Sequence, residues 1–184
     1  CMTTPIGDGE VCGTGATCKA GVCVGAGKAT QVVAGDHHTC IVTALSTVMC
    51  WGRNQYGQLG DGTLVDRYSP TPVVLPGEVA TIASGRNFVC ALLKTGAVHC
   101  WGLGTSGQLG NGASSTQKLP VAVTGMGSGV KAISTGETHA CAITGTGAAK
   151  CWGNNASGQL GNAGTTSSNT PVAVKLLDAS AGVT

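Results

Sequence analysis

Apolar residues in this chain come in short runs of two to six, broken by Gly, Thr, Ser and Pro, and never in a helical stripe. The stretch CALLKTGAVHCWG (90–102) shows the unit most clearly. Two apolar runs flank Lys94-Thr95-Gly96, a turn signal, which predicts a β-hairpin. A three-residue loop at 94–96 sets Leu92 against Val98, Ala91 against His99 and Cys90 against Cys100. The same arithmetic sets Cys40 against Cys50 and Cys141 against Cys151. Residues opposed in an antiparallel ladder lie about 4.5–5.5 Å apart at Cα, within disulfide reach. Three cross-strand disulfides are therefore expected. Each closes a short loop and contributes about 2.5–3 kcal/mol on chain-entropy grounds.

The hairpin recurs. CWGRNQYGQLGDG (50–62), CWGLGTSGQLGNG (100–112) and CWGNNASGQLGNA (151–163) repeat with a period of 50, then 51 residues. Ahead of each lies a second block, VVAGDHHTC (32–40), IASGRNFVC (82–90) and ISTGETHAC (133–141). A third block follows, as SPTPVVL (69–75), LPVAV (119–123) and TPVAV (170–174). Such periodicity marks an array of stacked supersecondary units. The repeat units are expected at about 30–80, 81–131 and 132–174, with a fourth beginning at 175–184, inside a repeat region of 25–184. Residues 1–24 differ. Four cysteines (Cys1, Cys12, Cys18 and Cys23) and little apolar bulk predict a separate disulfide-stapled head. Its pairing is open, and Cys1 is alternatively a lipid-bearing N-terminus.

By strand alternation, Trp51, Trp101 and Trp152 point away from the cysteines. They are three of only six aromatic residues, and their fixed register reads as core between neighbouring sheets. The Gly-Gln-Leu-Gly elements (57–60, 107–110, 158–161) read as tight turns. Their glycines permit positive φ, and their glutamines bond backbone groups left unpaired by the turn.

Composition narrows the chemistry. Of 184 residues, 31 are Gly and only 10% are charged, with a net charge of +2. No basic stripe exists for nucleic acid. Ten cysteines without paired CxxC knuckles indicate an oxidising compartment, extracellular or at a cell surface. No apolar run reaches the 18 residues of a membrane helix. No nucleophile elbow, recurring carboxylate pair or Walker-type lysine is present, so no catalytic residue, cofactor or metal is assigned, and an enzyme is not expected. His37, His38 and Asp36 would make an irregular metal set, and Phe88 replacing His38 in the second copy argues against it. Asn155-Ala156-Ser157 is a formal glycosylation sequon in an expected loop. Loops that vary between copies are where binding concentrates. Arg53, Tyr56, Asp66, Arg67 and Tyr68 of the first repeat are charged or aromatic where the other copies are nearly neutral, which makes them the candidate protein-binding residues.

The blocks Gly-x-x-His-x-Cys, Lys-Thr-Gly and Cys-Trp-Gly-x-Asn-x-x-Gly-Gln-Leu-Gly resemble the regulator of chromosome condensation repeat family over about residues 30–184. The resemblance implies an all-β fold of four-stranded propeller blades, here of a secreted, cysteine-paired bacterial type. It implies a rigid disc suited to protein contact. The chromatin-bound nucleotide-exchange role of the family's namesake uses a basic tail and a wedge that this sequence lacks. Three blades are too few to close a propeller. Further repeats, or neighbouring copies in an extracellular assembly or filament, are expected to complete it.

Overall fold

A computed structural model of the chain describes residues 11–12, 16–19, 22–24 and 28–175. The strands β1 (Val11–Cys12), β2 (Ala16–Lys19) and β3 (Val22–Val24) form a three-stranded antiparallel sheet. Its register sets Cys18 opposite Cys23. The cysteine pairing expected in this head, and the fourth unit from 176 onward, lie outside the described residues.

Three four-stranded antiparallel sheets follow, each a simple meander. The first blade is β4 (Ala29–Ala34), β5 (His38–Thr43), β6 (Val48–Gly52) and β7 (Arg67–Val73). The second is β8 (Val79–Ser84), β9 (Phe88–Leu93), β10 (Val98–Gly102) and β11 (Gln117–Ala122). The third is β12 (Val130–Thr135), β13 (His139–Thr144), β14 (Ala149–Gly153) and β15 (Ser168–Ala173). All described regular structure is β, arranged as the blades of a propeller. Every first strand carries an irregularity at one place, after Ala29, Val79 and Val130. A bulge there adds twist where the innermost strands come together.

The hairpin registers follow from the turn spacing. Cys40 faces Cys50, Cys90 faces Cys100, and Cys141 faces Cys151. All three pairs are disulfide-bonded, at Cα separations of 4.1, 4.1 and 4.0 Å.

The core lies between blades. One cluster joins Cys40, Val42, Val48 and Cys50 of the first blade to Val89, Ala91 and Trp101 of the second. The next joins Cys90, Leu92, Val98 and Cys100 of the second blade to Ala140, Ala142 and Trp152 of the third. Each blade thus has a disulfide face turned to its successor and a tryptophan face turned to its predecessor. Alternation along β9 serves both faces at once, so all six of its residues are buried.

The tryptophans do more than fill space. Trp101 Nε1 donates to the Gln58 carbonyl, and Trp152 Nε1 to the Gln108 carbonyl, each at 3.0 Å. An indole N–H buried without a partner would be costly, and the preceding blade's Gly-Gln-Leu-Gly turn supplies the acceptor. The close approach needs glycine. A Cβ on Gly60 or Gly110 would lie 2.7 Å from the indole nitrogen, and both residues have positive φ (68° and 66°).

Candidate functional site

Loops between the first and second strands, and between the third and fourth, emerge on one side of every blade. Backbone bonds tie them together: Arg53 N to His37 O, Leu103 N to Asn87 O, and Asn154 N to Thr138 O, at 2.8–2.9 Å. In the first of these loops the spacing Gly-x-x-His/Phe has a steric cause. The rings of His38, Phe88 and His139 fold onto Gly35, Gly85 and Gly136, and a Cβ there would sit 2.0–2.1 Å from ring carbon.

That turn aims the residue after each glycine at the mouth of the array. Asp36, Arg86 and Glu137 occupy equivalent positions and run acid, base, acid around it. Asp36 N donates to Arg86 O at 3.0 Å, and Arg86 N to Glu137 O at 3.1 Å. The Arg86 guanidinium bridges both carboxylates, Asp36 at 3.3 Å and Glu137 at 2.8 Å. These residues line a groove of about 620 Å³ together with Gly35, Ser84 and Thr135. A second hollow of about 350 Å³ opens beside it, between His37, Arg53, Gln55, Tyr56, Leu103 and Asn87.

His38 lies beneath the groove and is buried. Its Nε2 is 3.0 Å from Ser84 Oγ across the joint. Burial pushes its pKa down to about 4, against the pull of Asp36. A neutral ring bonded across the joint is a structural part, and it is not presented alongside His37 as a metal ligand. Burial also lowers His139 and His99.

The five candidate residues divide. Arg53 and Tyr56 line the second hollow, next to Asp36, Arg86 and Glu137. Asp66 and Arg67 work inside their own loop. Asp66 Oδ1 accepts the Asn54 N–H at 2.7 Å. Arg67 Nε donates to Asp61 at 2.7 Å, and the Asp61 carboxylate is only 4% exposed. Burial acts to raise the Asp61 pKa, but bonds from Thr63, Arg67 and Asn54 outweigh it and hold the carboxyl below its ordinary range. Tyr68 is 97% exposed on β7 and does not line the hollow. Its counterparts Lys118 and Asn169 use their carbonyls to receive Gly62 N and Gly112 N of the preceding blade. Tyr68 therefore marks the outer joint face of the first blade.

Two sequence expectations concern the same loops. The glutamines bond backbone as anticipated: Oε1 of Gln58, Gln108 and Gln159 accepts from Tyr56, Ser106 and Ser157 N–H at 2.8–2.9 Å. The sequon reading is corrected. Asn155 is fully buried, and its Nδ2 donates to Asn162 Oδ1, Gly164 O and Thr166 O. Asn54 holds the first blade's loop in the same way through Asp61, Thr63 and Val65. A glycan on Asn155 cannot coexist with this loop.

Comparison with known proteins places these features. The regulator of chromosome condensation (RCC1) repeat matches residues 47–92, 95–143 and 149–184. A second RCC1 repeat description matches 29–58, 79–108 and 130–159. The Arabidopsis thaliana ultraviolet-B receptor UVR8 is 34% identical over 155 residues, 82% of this chain and 35% of that protein. The Drosophila melanogaster E3 ubiquitin-protein ligase highwire is 44% identical over 50 residues, 27% of this chain and 1% of that protein. The solved structure of human WBSCR16 superposes with a TM-score of 0.73 at 26% identity, covering 81% of this chain and 38% of that one. Yeast RCC1 (Prp20), solved with Kap60, superposes with a TM-score of 0.70 at 22% identity, covering 80% and 37%. The chain spans little more than a third of the length of UVR8, WBSCR16 and Prp20.

Proposed function

Because the chain belongs to the RCC1 repeat family, we propose that it is a non-catalytic propeller module that binds a protein partner outside the cytosol through the loop face carrying Asp36, Arg53, Tyr56, Arg86 and Glu137. The observation that carries this reading is the convergence of loops from three blades on one charged, hollowed face. Rigid strands hold those loops, as binding surfaces require. The relatives fit the reading: yeast Prp20 was solved with the protein Kap60. The carboxylates support binding over acid–base work, since Asp36 and Glu137 pair with Arg86, Asp61 with Arg67, and Glu78 with Lys94. Three disulfides support an oxidising location. No helix of the described residues is long and apolar enough to cross a membrane.

Affinity capture from the native extracellular milieu, comparing the wild-type chain with an Arg53→Ala/Tyr56→Ala double variant, tests the reading. A partner retained by the wild type and lost by the variant is expected. Capture of the same proteins by both, or of none, overturns it. Fractionation that finds the native protein in the cytosol overturns the location.

A second reading has its own observation. The outer faces of the first and third blades carry the residue types that the joints bury, with Trp51 half-buried and Ile143 39% exposed. In this reading a further blade, from the same polypeptide or a neighbouring copy, covers each face as part of an extracellular assembly. Light scattering that finds the full-length protein to be a stable monomer overturns the version with neighbouring copies.

A further inference from the structure

The hollow beside the mouth draws residues from all three blades, but the Arg53 cation and the Tyr56 ring come from one blade's loop. At the positions of Arg53, Gln55 and Tyr56, the second blade has Leu103, Thr105 and Ser106, and the third has Asn154, Ala156 and Ser157. The backbone is the same in all three loops, because the glutamine and joint bonds described above recur. What changes is the set of side chains, and only the first blade projects a cation and an aromatic ring there.

The chain has three arginines. Arg67 is paired with Asp61, and Arg86 with Asp36 and Glu137. Arg53 is the one whose guanidinium meets no carboxylate among the described residues. It donates instead to the neutral Gln55 Oε1. That bond points the fork without neutralising it. Arg53 is exposed, and it shares the hollow with half-buried Tyr56 and Leu103. A planar cation, an aromatic ring and an apolar wall around about 350 Å³ form the kind of pocket that takes one anchoring side chain. Arginine matches a carboxylate with two parallel hydrogen bonds, and such charge-assisted pairs are about twice as strong as neutral ones.

We propose that this hollow receives a single acidic side chain, Asp or Glu, from a loop of the protein partner, with Arg53 as its counter-ion. The inference rests on the binding role above and names the partner's chemistry. Asp36 and Glu137 line the same hollow, both held by Arg86, and set its limit. With Arg86 they sum to one negative charge, so Arg53 is the single cation left to receive an acid, and a second acid meets only repulsion. The preferred segment therefore carries one carboxylate flanked by neutral residues, and acidic runs are disfavoured.

Panning a random dodecamer phage library on the immobilised 184-residue chain tests this, with synthetic peptides from the enriched sequences titrated afterwards. Enriched peptides are expected to share one Asp or Glu. Replacing that residue by its amide, or making Arg53→Gln, should weaken binding about tenfold to a hundredfold. Arg53→Glu should turn the selection toward Lys or Arg. Near-UV circular dichroism should stay unchanged in both variants, since Arg53 is exposed. Enrichment of neutral or basic peptides by the wild type, no enrichment at all, or acidic peptides bound equally by Arg53→Gln, overturns the inference. A partner captured in the native milieu whose binding is indifferent to Arg53→Gln but sensitive to Tyr56→Ala would leave the binding role standing and this inference refuted.

Discussion

The two joints between blades and the two outer faces are made from the same residues, yet they are in different physical states. Trp101 and Trp152 are fully buried, while Trp51 is half-buried. Val42 and Leu92 are 3% and 4% exposed, while their counterpart Ile143 is 39% exposed. Cys40 and Cys90 are fully buried, while Cys141 is only partly so. Gln58 and Gln108 are buried, while Gln159 is half-buried. The sequence is repeated but the burial is not, so burial belongs to the joint between two repeats and not to the repeat alone. A hairpin closed by its disulfide still has two apolar faces to cover, and its neighbours cover them.

Substitution should break this symmetry most visibly at the tryptophans. Trp101→Ala leaves a cavity and strips the Gln58 carbonyl of its donor. We expect a loss of about 3–5 kcal/mol in chemical denaturation, and less than half of that for Trp51→Ala. Equal losses would mean that the outer face is as well packed as the joint.

Acid should act next. The folded His38 pKa, about 4, lies below its unfolded value of 6.5. The unfolded chain then binds a proton that the folded chain refuses. Stability is whole above pH 6.5 and falls as the pH drops toward 4, by on the order of 3 kcal/mol. His38→Phe, the residue already present as Phe88, should make the denaturation midpoint less dependent on pH across that window, leaving the part due to His99 and His139. A slope identical to wild type would remove His38 from the account.

The joints also differ from each other. The Gln31 side chain spans the first joint: Nε2 donates to Ile82 O at 2.8 Å, and Oε1 accepts from Ile82 N at 2.9 Å. The equivalent strand position in the second blade is Thr81, whose hydroxyl donates back to Gln31 Oε1 at 3.1 Å and makes no such span to the third blade among the described residues. Gln31→Ala should cost about 1–2 kcal/mol, and Thr81→Ala distinctly less by the same measurement.

The smallest contrast is kinetic. Under native conditions and mild reductant, alkylation mapped by mass spectrometry should open Cys141–Cys151 before Cys40–Cys50 or Cys90–Cys100. Simultaneous opening of all three would show that joint burial does not shield a disulfide.

Much of this was legible in the chain itself. A three-residue turn and period-two alternation set the hairpin registers, which placed the cysteines opposite one another and the tryptophans behind them. Those are local relations within about a dozen residues. What escaped were relations across joints and bonds inside the long loops. The Trp101 bond to the Gln58 carbonyl spans 43 residues, and no local pattern announces its acceptor. Asn155 looked like a surface sequon because its three acceptors lie 7, 9 and 11 residues downstream in a loop that folds back over it. The loop bonds of exposed Asp66 to the Asn54 N–H and of half-buried Arg67 to Asp61 were not legible either, because charge does not announce which partner a side chain finds within its own loop. The Asp36–Arg86–Glu137 bridge could have been found. All three follow the glycine of the same block, and their alternating sign becomes meaningful once equivalent loops are known to touch.

Native-state hydrogen exchange is the most direct test that joints, rather than individual hairpins, hold the array. The three hairpins have the same disulfide and the same turn length. If burial at joints governs, the β9 and β10 amides, covered on both faces, should exchange slowest. Protection should be weaker in β5 and β6, and in β13 and β14. Equal protection in all three hairpins would show that each blade stabilises itself, and would contradict the account.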